Sequence, residues 1–107
     1  MVAVLSYTTR EGIHSCLESA LKPFGDNFSN IVYWNLKERR GISKEEAIDH
    51  PEELVNCLQE IFGSGSKLIE LRISLELKNK FNLSDGEVVS CSKALRSARR
   101  HLVMFAV

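Results

Sequence analysis

Three cysteines and three histidines are the residues of this chain whose side chains could bind a metal or act as nucleophiles. None of them has the paired short spacing that a zinc site requires. The cysteines fall on or beside apolar stripes, where a thiol behaves as a small hydrophobe. We therefore predict no metal site, and we interpret the cysteines as reduced thiols of a cytoplasmic protein. The six residues are Cys16, Cys57, Cys91, His14, His50 and His101.

A glycine-rich turn and a group of acids are the other candidates for chemistry. Gly63-Ser-Gly-Ser66 precedes a predicted helix and could bind an anion with its backbone amides. It lacks the Gly-Lys-Ser/Thr end of a P-loop, however, and a tight turn between helices explains both glycines. Four glutamates lie at predicted helix starts, where capping and the helix dipole already account for them. We therefore predict no catalytic residue, no cofactor site and no enzymatic activity. The glutamates are Glu45, Glu46, Glu52 and Glu53.

Charged residues are balanced in number but unevenly distributed. Fourteen Lys and Arg match fourteen Asp and Glu, so the net charge favours neither nucleic acid nor an acidic membrane surface as a partner. Residues 45–60 contain six acids and no Lys or Arg, whereas residues 88–107 contain four bases and no acid. These bases could contact an acidic protein surface or, as an alternative, the phosphates of a nucleic acid. They form a basic ridge of Lys93, Arg96 and Arg100, with Arg99 beside it.

The first element that positions these residues is predicted to be a helix from Thr9 to Leu21. Apolar residues recur there at i, i+3, i+4 and i+7. Thr8 with Glu11 fits a capping box, in which a hydroxyl and a carboxylate satisfy free backbone amides. Residues 1–8 are predicted to be a flexible or extended lead-in. The apolar segment 102–107 has similar character, and the two could pair as strands.

Capping signals divide the rest of the chain into further helices. Asp26 is a good N-cap for the second helix, which ends at Gly41. Ser43-Lys-Glu-Glu46 is a capping box that opens a short helical turn, and Pro51 occupies the first position of the third helix. Ser84-Asp-Gly-Glu87 is another capping box and is predicted to open the fifth helix.

The segment between these elements, from Ser64 to Leu83, permits two interpretations. Apolar and polar residues alternate from Ile69 to Leu77, which is typical of a half-buried strand. The same segment also has two apolar stripes at helical spacing. We favour the helix because Leu, Glu, Lys and Arg dominate and because the segment exceeds the usual strand length. A central helix near residues 66–81, covered on both sides within a bundle, is therefore predicted. One stripe comprises Ile69, Ile73, Leu77 and Phe81, and the other comprises Leu68, Leu71 and Leu75.

Two sets of apolar residues are candidates for binding a partner. One small chain does not offer enough surface to cover both stripes of the central helix, so we expect a homodimer with Leu71 or Leu75 near the shared surface. Tyr33 and Trp34 lie beside the inward stripe of the second helix. They are either flanking core residues or partly exposed aromatic anchors for a partner.

The middle of the chain contains two stretches that resemble a known family. These are Tyr33-Trp-Asn-Leu-Lys-Glu-Arg-Arg-Gly-Ile42 and His50 to Glu70, with the sharpest similarity in Ile61-Phe-Gly-Ser-Gly65 running into Leu68-Ile-Glu70. Over roughly residues 13–83 the chain resembles the Nitrosopumilus output domain, a small archaeal family of helical modules found alone or attached to signalling proteins. The resemblance implies a cytoplasmic, non-catalytic interaction module in signalling or gene regulation. It brings no catalytic residues, and the segment after Ser84 lies outside it.

The sequence therefore predicts an all-α fold with one domain over residues 1–107, a compact bundle of about five helices in which residues 84–107 form an additional C-terminal helix. No apolar run approaches the ~18 residues of a transmembrane helix, and residues 1–5 lack the pattern of a signal peptide. We expect a cytoplasmic protein-interaction or signalling output module with a protein partner and no membrane contact. The alternatives are a nucleic-acid-associated accessory protein of replication or transcription and a small-molecule sensor with a pocket between helices.

Overall fold

The computed structural model describes residues 2–106, with side chains described for residues 10–100. Five α-helices, joined by short 3-10 turns, account for most of this range, and no strand occurs within it. The all-α prediction is therefore confirmed. The Cα radius of gyration is 13.2 Å, close to the roughly 13 Å expected of a compact chain of this length. The helices are α1 (Val2–Leu21), α2 (Phe28–Arg40), α3 (Pro51–Phe62), α4 (Ser66–Phe81) and α5 (Cys91–Ala106).

The two ends of the chain differ from the prediction. Helix α1 begins at Val2 rather than Thr9, and α5 continues to Ala106. The extended lead-in and the pairing of the two ends as strands are therefore wrong. Thr8 lies inside α1, so it is not an N-cap. Residues 2–8 contain neither Gly nor Pro, and extending an existing helix gains one hydrogen bond for each residue that is fixed.

The predicted capping residues end or begin most of the other helices. Gly41 ends α2 in the left-handed conformation with φ 65°, and Asn82 ends α4 in the same way with φ 53°. Pro51 is at the start of α3, as predicted. The N-cap of α2 is Asn27, one residue beyond the predicted Asp26.

The two downstream capping boxes both form. The Glu46 amide donates to Ser43 Oγ and the Ser43 amide donates to Glu46 Oε1, each at 3.3 Å. The Ser84 amide likewise donates to Glu87 Oε1 at 2.9 Å. This second box opens the 3-10 turn Asp85–Val88 rather than the fifth helix, which begins at Cys91.

One hydrophobic core lies between the helices. Helix α1 packs against α2, α4 and α5, and α3 packs against the same three helices from another side. Phe28 of α2 stacks on Phe62 of α3, with ring centroids 4.5 Å apart. The largest fully buried aliphatic side chains are Ile13, Leu17, Leu36, Ile48, Leu54, Leu58, Ile73, Leu77 and Leu95.

Helix α4 has the predicted bounds, and it contacts α1, α3 and α5. Ile69, Ile73 and Leu77 are buried on its inner face. The other stripe is exposed within a single chain. The prediction that both faces are covered inside the bundle therefore holds for one face only. Within residues 2–106, no helix is both long enough and apolar enough to cross a membrane.

Candidate functional site

Three leucines on the outer face of α4 form an exposed apolar surface on a single helix. Leu68, Leu71 and Leu75 are 56, 54 and 47 % exposed. Because a helix turns about 100° per residue, positions i, i+3 and i+7 lie on one face. The core-facing residues Ile69, Ile73 and Leu77 point the other way, so burying them forces these three leucines towards solvent. We call Leu68, Leu71 and Leu75 the leucine stripe.

Three basic side chains border the leucine stripe. At about 100° per residue, Lys67, Arg72 and Lys78 lie within roughly 75° of its centre. Lys67 is exposed, and Arg72 and Lys78 are half-buried. Arg72 Nε is buried and has no hydrogen-bond partner among the described side chains. These three residues are called the basic border.

The two acids of α4 lie farther from the leucine stripe than the basic border does. On the same helical projection, Glu76 and Glu70 lie more than about 100° from the stripe's centre. Glu76 lines a groove against α1 with Ser15 and Cys16, and Glu70 accepts a hydrogen bond from Gln59 of α3 at 3.4 Å. The acid that does reach the border is Asp85, which pairs with Lys78. This pair lowers the pKa of Asp85.

A second apolar patch lies on α2. Trp34 is 64 % exposed and Ile31 is 47 % exposed. They line a shallow depression of about 380 Å³ with three asparagines. No charged side chain lines this depression, so it offers no electrostatic preference for one class of partner. The asparagines are Asn27, Asn30 and Asn35.

Tyr33 is buried, with 7 % of its surface exposed. Its ring meets the edge of the His14 ring, with centroids 6.4 Å apart, and Lys44 Nζ lies 5.3 Å from its centroid. Burial raises the pKa of the Tyr33 hydroxyl. Tyr33 is therefore a core residue and not an exposed aromatic anchor, which was one of its two predicted roles. Trp34 is exposed and remains a candidate anchor.

The basic ridge of α5 is partly neutralised within the chain. Arg96 Nη2 lies 2.5 Å from Glu52 Oε1 of α3. Arg99 Nη2 lies 3.2 Å from Asp49 Oδ1, in the 3-10 turn that precedes α3. Lys93 and Arg100 are exposed, and neither forms an ion pair with the described side chains 10–100. Two of the three ridge residues, Lys93 and Arg100, are therefore without an ion pair among the described side chains.

An open cleft of about 470 Å³ separates α1 from the loop after α2. Lys44 and Glu18 pair across it at 3.1 Å, and His14 Nδ1 is buried there with no hydrogen-bond partner among the described residues. Burial, followed by the nearby charges of Lys44 and Arg10, lowers the pKa of His14. The cleft lining contains two bases and three acids; Lys44 pairs with Glu18, and Arg10 pairs with Asp49 outside the lining. This near balance of charge gives the cleft little preference for a charged ligand.

Among the described side chains, the cysteines and histidines considered at the outset do not form a common site, and the side chain of His101 lies outside the described range. Cys16, Cys57 and Cys91 are all buried as free thiols, and burial raises the pKa of Cys91 to about 12. Within the described residues, no three His, Cys, Asp or Glu side chains lie close enough together to hold a metal ion.

The chain was compared with known proteins at three levels. No family model matches it, no curated protein matches it, and no solved structure matches it. Its function is therefore inferred from its own surfaces, among which the leucine stripe groups three exposed leucines on one helix face.

Proposed function

We propose that this protein is a non-catalytic interaction module that binds a protein partner through the leucine stripe of α4. The observation that carries the proposal is the exposure of Leu68, Leu71 and Leu75 on one helix face. Single exposed apolar residues are normal, but neighbouring ones on a rigid element are typical of interaction sites. The core beneath the stripe is complete without them.

The size of the stripe sets the strength of binding that it can support. Full burial of a leucine side chain contributes about 1.5–3 kcal/mol. Each of the three is already about half buried, so covering the remainder would contribute about 2–4 kcal/mol in total. That corresponds to roughly a 30-fold to 1,000-fold gain in affinity. The stripe is therefore suited to a weak, reversible contact.

The resemblance to the Nitrosopumilus output domain, for which no family model matches, would imply the same kind of role. It implies an interaction or signalling output role in an archaeal cytoplasm and assigns no catalysis. Three buried thiols without disulfides are compatible with a reducing compartment. We propose accordingly that the module acts in the cytoplasm and passes a signal by binding, with a second copy of the chain as the competing occupant of the stripe.

A second candidate function is binding of nucleic acid by α5. The observation in its favour is that Lys93 and Arg100 are exposed and without ion pairs among the described side chains. Two free bases would give a log–log salt slope of about −1.8 on duplex DNA, against about −3.6 for all four bases of the region. Arg96 and Arg99 would first have to leave their carboxylates, which makes this function the less favoured one.

Affinity purification from native lysate, with and without nuclease, separates the two functions. The bait proteins are the wild type, Leu71→Glu, and a matched charge variant with Lys93→Glu and Arg100→Glu. We expect a partner that the wild type and the charge variant retain, that Leu71→Glu loses, and that nuclease does not release. A partner that nuclease and the charge variant both remove, but that Leu71→Glu retains, would instead establish the nucleic-acid function.

A further inference from the structure

The charges around the leucine stripe indicate the chemistry of its partner. This inference rests on the proposed function. Lys67 and Arg72 border the first two turns of the stripe, and among the described residues neither forms an ion pair. We infer that the stripe binds an amphipathic helix of another protein, whose apolar residues are bordered by Asp or Glu, in preference to a second copy of this chain.

The shape of the stripe matches one partner helix. Leu68, Leu71 and Leu75 follow the 3,4 spacing with which a helix meets a neighbouring helix along a seam. Their span of seven residues corresponds to about 10 Å along the axis, or two turns. A partner helix with apolar residues at i, i+3 and i+7 covers that length, and helix-in-groove recognition uses such anchors.

A second copy fits the charges poorly. If two copies met through the stripe, the basic border of each would face the basic border of the other, and like charges at such positions are destabilising. The acidic stretch 45–60 of a neighbouring copy does not offer a ready complement. Its carboxylates are largely engaged inside their own chain. Glu52 pairs with Arg96, Glu53 and Glu60 pair with Arg40, and Asp49 pairs with Arg10 and Arg99.

The exposed apolar area also argues against a stable dimer. The stripe consists of three leucine side chains, each only about half exposed. A stable interface buries about 800 Å² on each partner. The leucine stripe supplies a small part of that, so complementary charges along the border must add affinity and select the partner. A short acidic helix meets both requirements.

The test uses two synthetic 18-residue helical peptides that share one leucine stripe at i, i+3 and i+7. Their border positions are Glu in one peptide and Lys in the other. Fluorescence anisotropy at low salt should show the Glu peptide binding the full chain at least ten times more tightly than the Lys peptide. A variant with Lys67→Glu and Arg72→Glu should reverse this preference, whereas the matched control Lys93→Glu should keep it. Leu71→Glu should lose both peptides. Equal binding of the two peptides, or a preference for the Lys peptide, would overturn the inference.

Parallel measurements separate failure of this inference from failure of the proposed function. Sedimentation could show a dimer that Leu71→Glu dissociates, while neither peptide binds. This result would assign the stripe to a second copy and overturn the inference alone. Binding of vesicles containing phosphatidylglycerol, lost in Leu71→Glu, would assign the stripe to a lipid surface and overturn both. An absence of peptide, self and vesicle binding would likewise overturn both. Circular dichroism of each variant confirms that it folds.

Discussion

Leu77 lies on the buried face of α4 and Leu71 on its exposed face, and replacing each with alanine measures how much their burial differs. Leu77 is fully buried, whereas Leu71 is 54 % exposed. The chemical change is the same at both positions, and both lie inside the same helix. Alanine is the best helix former, so neither substitution weakens α4 through its backbone.

The two expected costs differ severalfold. Truncating a fully buried leucine loses its transfer free energy and leaves a cavity, which together destabilise a protein by about 2–5 kcal/mol. Leu71 is already about half hydrated and leaves no enclosed cavity when truncated. Its loss should therefore cost less than about 1 kcal/mol.

Urea unfolding followed by circular dichroism at 222 nm gives both values, with unchanged slopes as the check on comparability. The measurement should be made at two protein concentrations, because self-association would add concentration-dependent stability. A Leu71→Ala cost of 2 kcal/mol or more that does not depend on concentration would show that the stripe is buried within one chain. That result would refute the assignment of the stripe as an open surface.

Three further outcomes are expected. Gly63→Ala should destabilise more than Gly41→Ala, because Gly63 combines φ 56° with ψ −131°, outside the left-handed helical region that Gly41 occupies; equal losses in urea unfolding would contradict this. Burial raises the pKa of Cys91 to about 12, so this thiol should resist alkylation by iodoacetamide at about pH 8 until urea unfolds the chain. Rapid labelling of the native protein, detected by mass spectrometry, would contradict its burial. The pKa of His14 is lowered from 6.5 in the folded chain. As the pH drops below about 6.5, the unfolded chain therefore takes up a proton on His14 before the folded chain does, and the free energy of unfolding should fall. His14→Gln should reduce this pH dependence, and an unchanged profile would disprove the role of His14.

Local signals predicted most of the fold. The bounds of α4 and the two downstream capping boxes follow from residues no more than four positions apart, so they can be recognised without tertiary information. The start of α1 could not be fixed in this way. Residues 2–8 contain β-branched and apolar side chains that fit either a strand or a helix. Their helical state follows from continuity with the amphipathic segment that begins near Thr9.

The candidate site was only partly predictable, for a related reason. The leucine stripe was visible in the sequence because helical spacing alone separates it from the core stripe. The burial of Tyr33 was not visible in the sequence, because the side chains that pack against its ring, His14 and Lys44, come from other elements of the chain. The pairing of Arg99 with Asp49 joins residues fifty positions apart, and no local pattern predicts such a contact.

Site-specific photo-crosslinking tests the central claim most directly. Benzoylphenylalanine placed at position 71, on the leucine stripe, should crosslink in native lysate to one discrete protein that differs from this chain. The matched control is the same group at Val89, which is 72 % exposed outside α4, and it should give no such adduct. If position 71 gave no protein adduct, or only the adducts that position 89 gives, the leucine stripe would not be a docking face and the account would be contradicted.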